Sequence, residues 1–200
     1  MKAKGLLIVI SGPSGVGKGT ICSALHQVDP QVVISISATT REPRLGEEDG
    51  VHYYFLPPDE FIKWRENGDF LEWAEVYGNF YGTPKNKVLN LLAEGKDVIL
   101  EIDTKGAMQV KANYPEAVLL FILPPSFEEL KKRLYGRETD CEEVILHRLA
   151  EFEQEMIMLP EYDYALTNNS INETVTLVQT IILAEKLKTT RMIAERRQPI

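Results

Sequence analysis

The sequence predicts an α/β fold: a parallel sheet of the phosphate-loop type flanked by helices, with a small inserted lobe and a helical lid. Three observations carry that expectation. An all-apolar run, Leu6–Ile10, feeds a glycine-rich turn that opens a helix. Two more apolar runs, Val98–Ile102 and Ala117–Leu123, alternate with helical stretches, as strands buried on both faces do. Polar blocks interrupt the alternation around residues 38–83 and 126–155.

The turn reads GPSGVGKGT, Gly12 to Thr20. Its G-x-x-x-x-G-K spacing ends at Lys18. Backbone N–H groups at a helix start face an anion, and the glycines let the chain wrap close around it. Lys18 adds a point charge at the outer phosphates, and with no anion present its ammonium is expected in water. Gly19 stands where the motif prefers Ser or Thr, and Thr20 comes one position late.

The remaining elements come in order along the chain. Gly17–Val28 reads as a helix, with Ile21, Leu25 and Val28 at helical spacing, and Pro30 ends it. Val32–Ser37 reads as the second strand. The stretch from Thr39 turns polar and glycine-containing. Tyr53–Leu56 then reads as a short strand, Asp59–Glu66 as a helix, and Phe70–Val76 with Phe80–Gly82 as a hairpin about Gly78-Asn79. Residues 38–84 thus form either an antiparallel, polar-rich lobe or a long irregular crossover. Lys85–Glu94 is a helix stopped by Gly95. Val98–Ile102 is a strand ending in Asp103, Gly106–Tyr114 a helix, and Ala117–Leu123 a strand. Ser126 with Glu129 and Ser170 with Glu173 are capping boxes. Between them lie a helix to Tyr135, a turn at Gly136–Asp140, a helix capped by Asp140 and Glu143 that runs to about Leu159, and a last strand, Tyr162–Thr167. An amphipathic helix closes the chain, and the basic tail from Arg191 is expected to fray.

Two hundred residues allow one good core with small lobes. A net charge of -8 argues against a nucleic-acid binder but leaves room for a nucleotide ligand. Cys22 and Cys141 are too few for a disulfide scaffold, so a reducing, cytoplasmic setting is expected. The first apolar run is too short for a signal peptide or a membrane span, so no membrane partner is expected.

A phosphate loop serves hydrolases, switches and kinases alike, so other residues must choose. Arg41 and Arg44 come after the second strand at the carboxyl edge of the sheet, where ligands of open sheets collect. Arginine forks bind phosphate bidentately, so the pair marks a second phosphate site, unless it is solvated beside Glu42, Glu47 and Glu48. Arg133 and Arg137 lie a helical turn apart. With Arg148 they make a movable cationic cluster, unless Glu129 and Asp140 merely pair with them. Glu101 and Asp103 end a strand, suited to a metal's hydration shell or to backbone hydrogen bonds. Glu72 in the lobe matches a paired-donor edge such as guanine N1–H with its 2-amino group.

The whole pattern resembles the guanylate kinase family from about Gly5 to Glu185. The markers are GPSGVGKGT, SATTREPRLGE from Ser37, Tyr53, FLEWAEVYGNFYGT at Phe70–Thr83, LEIDTKG at Leu100–Gly106 and LKKRLYGR at Leu130–Arg137. The resemblance implies transfer of a phosphoryl group from ATP to GMP, with Mg2+. It implies ATP contacts at Gly12, Pro13, Ser14, Gly15, Val16, Gly17, Lys18, Gly19 and Thr20, with Asn168 near the adenine. Arg41, Arg44, Tyr53 and Tyr81 would hold the GMP phosphate. Glu72 would read guanine N1 and N2, and Ser37 and Thr83 would donate to O6. Glu101 and Asp103 would lie near GMP and, with Thr20, near magnesium, mostly through water. Lys18, Arg41, Arg133, Arg137 and Arg148 would act on the transferring phosphate. The implied parts are a nucleotide core (1–37, 84–125, 156–200), a GMP-binding lobe (38–83) and a lid region (126–155), in a monomer or homodimer. Two departures stand out: Gly19 in place of serine, and Glu138 in place of the glycine after the lid arginine. The rivals are an adenylate kinase-like enzyme, against which Glu72 and the Ser37–Arg44 run speak, and a non-catalytic module, against which the intact loop and arginines speak.

Overall fold

The computed structural model describes residues 3–136 and 142–196. β1 (Leu7–Ser11) is buried at every position and runs through the glycine turn into α1 (Lys18–Val28). After β2 (Val32–Ile34) the chain builds a second sheet from β3 (Ala38–Thr39), β4 (Tyr54–Phe55), α2 (Pro58–Glu66), β5 (Phe70–Val76) and β6 (Asn79–Pro84). It returns through α3 (Lys85–Ala93) to β7 (Asp97–Glu101), α4 (Thr104–Asn113) and β8 (Val118–Leu123). Then come α5 (Phe127–Tyr135), α6 (Glu142–Ile157), a 3-10 turn at Leu159–Glu161 and β9 (Tyr164–Thr167). α7 (Ile171–Lys186) and α8 (Thr189–Arg196) end the described chain.

The first sheet has five parallel strands in the order β2-β7-β1-β8-β9. β1 is central, so both its faces must be apolar. Alternate residues supply two cores: Leu6, Ile8 and Ile10 pack with Ile21 and Leu25 of α1 and Val178 of α7. Leu7 and Val9 pack with Val88 and Leu92 of α3 and Val110 of α4. Each such side chain, removed from water, contributes about 1.5–3 kcal/mol. The carboxyl ends of these strands place the glycine turn, Ser35–Ser37, Asp103 and Asn168 along one edge.

The second sheet runs β4-β3-β6-β5, over stacked Phe61, Phe70 and Phe80. It is mixed, not antiparallel: Ala38 and Thr39 pair in parallel with Tyr54 and Phe55. Two-residue strands are too short to show a period, so this pairing left no pattern to read. The β5–β6 turn falls on Tyr77 and Gly78, both at positive φ, one residue earlier than expected.

Other differences have local causes. The second strand stops at Ile34 because the chain crosses to the second sheet by Ala38. α4 starts at Thr104, not Gly106, because the Asp103 carboxylate accepts from Gly106 N at 2.7 Å and caps it. The tail beyond Arg191 does not fray at once. It forms α8, held where Arg191 Nη2 donates to Lys4 O (2.9 Å) and Gly5 O (3.2 Å). Ser126 and Ser170 cap α5 and α7 as the sequence suggests. The Gly136–Asp140 turn past Gly136, the Asp140 cap, Arg137 and Glu138 lie outside the described residues.

Candidate active site

The glycine turn is held by close contact on both sides. Gly12 has φ 131°, and a Cβ there would lie 2.4 Å from Ile122 O of β8. Gly15 has φ 89°, and a Cβ there would lie 2.9 Å from Leu134 Cδ2 of α5. Only glycine fits either place. Pro13 and Val16 are buried, while Ser14, Gly17 and Gly19 are half-exposed. Asn168 is buried beneath the turn: its Nδ2 donates to Val16 O at 2.7 Å and its Oδ1 accepts from Thr174 Oγ1 at 3.0 Å. Its amide therefore shapes the loop.

Lys18 departs from expectation. Its ammonium does not reach into water but folds back on the turn, donating to Gly12 O at 2.6 Å and Pro13 O at 3.1 Å. Burial lowers its pKa, opposed by the carboxylates of Glu155, Glu101 and Asp103.

Glu101 ends β7 accessible to water, although partial desolvation still pushes its pKa up against the pull of Lys18. A Cβ on Gly19 would lie 3.3 Å from Glu101 Oε1, so the bare α1 start lets this carboxylate sit against the loop. Thr20 is exposed one residue further along α1. Glu155 of α6 also reaches this centre: burial pushes its pKa up to about 7, opposed by Lys18. Ser11 Oγ and Tyr162 Oη are buried here without a hydrogen bond of ordinary geometry, and burial pushes the Tyr162 phenol up to about 12. No cluster of three or more His, Cys, Asp or Glu side chains suited to caging a metal occurs among the described residues.

Across the sheet edge, a cavity of about 200 Å³ is lined by Ser37, His52, Tyr53, Thr83 and Glu101, among others. Thr83 Oγ1 donates to Glu72 Oε1 at 2.6 Å in the buried wall behind it. Burial pushes the Glu72 carboxyl up to about 7, with Asp103 adding to the shift and Thr83 opposing it. Arg41 lies nearby, its guanidinium 5.5 Å from the Tyr53 ring centre. Tyr53 meets Tyr81 edge to face, with ring centres 6.1 Å apart. The Arg41 fork is occupied: Nη2 donates to both oxygens of Glu47, at 2.9 and 3.0 Å, and Nη1 donates to Glu42 O at 2.7 Å. Glu47 also accepts from Arg44 N at 2.8 Å, while Arg44 itself is exposed.

Of the lid arginines, Arg133 is paired with Glu129 one turn back on α5, Nε to Oε1 at 3.2 Å. Arg148 is half-buried on α6. α5 does not stand apart, since Leu130 and Leu134 pack with Val16 in the main core.

Four side chains here were not singled out by the sequence, namely His52, Gln109, Asn113 and Glu155, and Glu47 was expected only as a surface neighbour of Arg41 and Arg44. Glu155 is one of several acids on α6, and only its spacing from Arg148 and Phe152 hints that it faces inward. Gln109 and Asn113 act through bonds to β5, 36 and 42 residues away in the chain, which no local pattern announces.

Known proteins share this arrangement. A family model described as guanylate kinase matches residues 4–185. Among curated proteins, a guanylate kinase of Carboxydothermus hydrogenoformans is 53% identical over 189 residues, 94% of this chain and 93% of that protein. One from Clostridium acetobutylicum is 52% identical over 192 residues, 96% and 91%. Among solved structures, a guanylate kinase from Anaplasma phagocytophilum superposes with a TM-score of 0.74 at 35% identity, covering 100% of this chain and 98% of that one.

Proposed function

The chain belongs to the guanylate kinase family and transfers the γ-phosphoryl group of ATP to GMP, giving ADP and GDP, and we propose how its residues do so. One observation carries the assignment of parts. Thr83, bonded to the buried Glu72, lines the same cavity as Glu101, and Glu101 lies against Gly19 of the phosphate loop. The acceptor-base reader and the donor-phosphate cradle thus meet at one strand end.

In this reading the turn from Gly12 to Thr20 holds the ATP phosphates on backbone N–H groups. Lys18 swings from Gly12 O and Pro13 O onto the β- and γ-phosphate oxygens. Asn168 keeps the turn in shape from below. Glu72 accepts from guanine N1–H and the 2-amino group, and Ser37 and Thr83 face O6. Arg41, released from Glu47, takes the GMP phosphate with Arg44, Tyr53 and Tyr81. A GMP phosphate oxygen attacks the γ-phosphorus in line as the bond to the ADP oxygen breaks. Arg133, Arg137 and Arg148 stabilise the charge spread over the equatorial oxygens.

The oxygen donors at Thr20, Glu101 and Asp103 fit Mg2+ held largely through water, because they form no closed cage and Asp103 already caps α4. Held there, Mg2+ would supply charge neutralisation to the transferring phosphates. We take 1–37, 84–125 and 156–200 as the nucleotide core, 38–83 as the GMP lobe and 126–155 as the lid region. Every residue named lies on one chain, so monomer and homodimer alike have complete sites. A buried free Cys22 suits a reducing cytoplasm, and no helix among the described residues is long and apolar enough to cross a membrane.

The test is a coupled assay of ADP formation with ATP and a panel of nucleoside monophosphates, titrated with Mg2+. GMP is expected as the preferred acceptor, with AMP far behind because it leaves Glu72 unpaired. Equal turnover of AMP and GMP would overturn the assignment of Glu72.

A further inference from the structure

β5 carries Glu72 at the place where its pairing with β6 breaks. Phe70 pairs with Pro84, and the next pair is Trp73 with Gly82, three steps on β5 against two on β6. The extra residue is a bulge, and it leaves Leu71 and Glu72 without paired residues on β6. A bulge re-aims side chains, and here one of those side chains has to accept two donors from a flat base edge. Thr83 Oγ1 holds the Glu72 Oε1 at 2.6 Å, and something else must hold the backbone that carries the side chain.

That something is α4. Gln109 Oε1 accepts from Trp73 N at 3.2 Å, and Gln109 Nε2 donates to Trp73 O at 3.0 Å. One amide side chain thus imitates a neighbouring strand. One turn on, Asn113 Nδ2 donates to Leu71 O at 2.8 Å. One turn back, Gly106 leaves room for the carboxylate, since a Cβ there would lie 3.3 Å from Glu72 Oε2 and 3.3 Å from Asp103 Oδ1. Residues 106, 109 and 113 form one stripe of the helix. They bracket Glu72 with a bond on its C-terminal neighbour, a bond on its N-terminal neighbour and a bare surface facing its carboxylate.

We propose that Gln109, supported by Asn113, is a positioning residue for guanine recognition: by clamping both polar groups of Trp73 it sets the angle at which the Glu72 carboxylate meets the base. The proposal rests on the reading that Glu72 binds guanine. Bidentate recognition requires placement to within about 0.5 Å; Thr83 fixes one carboxylate oxygen, and the α4 clamp fixes the bulged backbone behind it. The clamp also ties the acceptor lobe to the helix capped by Asp103, so base and phosphate ends share one rigid support.

The experiment measures dissociation constants of GMP and inosine monophosphate by calorimetry, with ATP affinity and melting temperature alongside. Inosine monophosphate lacks only the 2-amino group, so the ratio of the two constants reads the second Glu72 bond. In Gln109→Met, which keeps length and loses both bonds, the preference for GMP is expected to fall about fivefold to tenfold, with ATP affinity within about twofold of wild type. Gln109→Glu, which keeps the acceptor for Trp73 N but sets a carboxylate oxygen against Trp73 O, should lower the preference at least as far. A preserved ratio in Gln109→Met, or parallel weakening of both ligands, overturns the proposal. Glu72→Gln separates the two layers. If its ratio is also unchanged, the Glu72 reading itself fails. If its ratio collapses while that of Gln109→Met stands, only the clamp fails. Should Gln109→Met not fold, Gln109→Glu and Asn113→Leu carry the test, and an unchanged ratio in both overturns the proposal.

Discussion

On the reading proposed above, the donor loop and the acceptor lobe solve one problem, holding a phosphate, by opposite means. The donor loop is built of backbone. Gly12 and Gly15 press against β8 and α5, Asn168 props Val16, and the shape stands before any ligand arrives. The acceptor lobe is built of side-chain charge, and in the empty protein that charge is already answered. Glu47 fills the Arg41 fork where a phosphate would sit, and Thr83 holds Glu72. The donor end waits as an open cradle, with only the Lys18 ammonium leaning on its own carbonyls. The acceptor end exchanges internal partners for the ligand. A backbone cradle is indifferent to the rest of the molecule that carries the phosphates, whereas a set of displaceable pairs rewards only a ligand that matches all of them.

The largest expected effect breaks the donor side. Lys18→Met should lower kcat by about a hundredfold to a thousandfold at saturating ATP and GMP. It should leave the empty protein melting close to wild type, because burial already disfavours this charge and offsets its two bonds to the turn. A drop of less than tenfold would show that the backbone alone carries the donor site.

Next comes the acceptor side. Glu72→Gln should cut kcat/KM for GMP by about tenfold to a hundredfold while KM for ATP stays within about twofold. If both substrates suffer equally, the two ends are not separable as argued.

A smaller effect comes from pH. The Glu72 carboxyl sits at about 7, so GMP should bind more weakly as pH falls through 7 and the acceptor becomes protonated. The GMP phosphate titrates nearby, so the slope that matters is the part removed by Glu72→Gln. In the empty protein the sign for stability is opposite. The folded carboxyl keeps its proton between the usual 4.5 and about 7 while the unfolded chain loses it, so stability falls as pH rises across that window. Melting curves of wild type and Glu72→Gln across it check this, and equal slopes would contradict it.

The smallest effect concerns the stand-in acid. Glu47→Gln frees Arg41 and should tighten GMP by about twofold, since exposed pairs are weak. Weaker binding would mean instead that Glu47 orders the loop through Arg44 N more than it competes with phosphate.

The donor side was written in consecutive residues, whereas the acceptor side showed in Arg41, Arg44 and Glu72 alone and was completed only by resemblance, for the same reason that the two differ. A backbone cradle needs glycines at fixed offsets behind a buried strand, and Leu6–Thr20 writes that out in fifteen consecutive letters. The sheet around it was equally plain, because strands covered on both faces cannot be other than apolar. The acceptor site depends on pairs distant in the chain. Thr83 finds Glu72 across a hairpin, Gln109 finds Trp73 across three intervening elements, and β3 finds β4 over two residues. Lys18 differs from the expectation because two carbonyls of its own loop lie within reach of the ammonium. α8 was missed because eight mostly polar residues show no buried face, and Arg191 holds the backbone of Lys4 and Gly5 instead of packing apolar surface.

A ribosome finishes β1 long before it makes either strand that covers it. The Leu6 amide and the Asp97 carboxylate that accepts from it are 91 residues apart. At roughly 5–20 residues per second the nascent strand waits about 5–20 s for β7, and longer for β8. Through that interval an uncharged, proline-free run rich in branched apolar residues has no neighbour of its own, the composition most prone to pair with other chains. The same central placement that buries β1 on both faces therefore makes it the segment most in need of shelter during synthesis. Ribosome-arrested chains that stop before β7 should be cut by protease within Leu7–Ser11, and chains that extend past β8 should resist there.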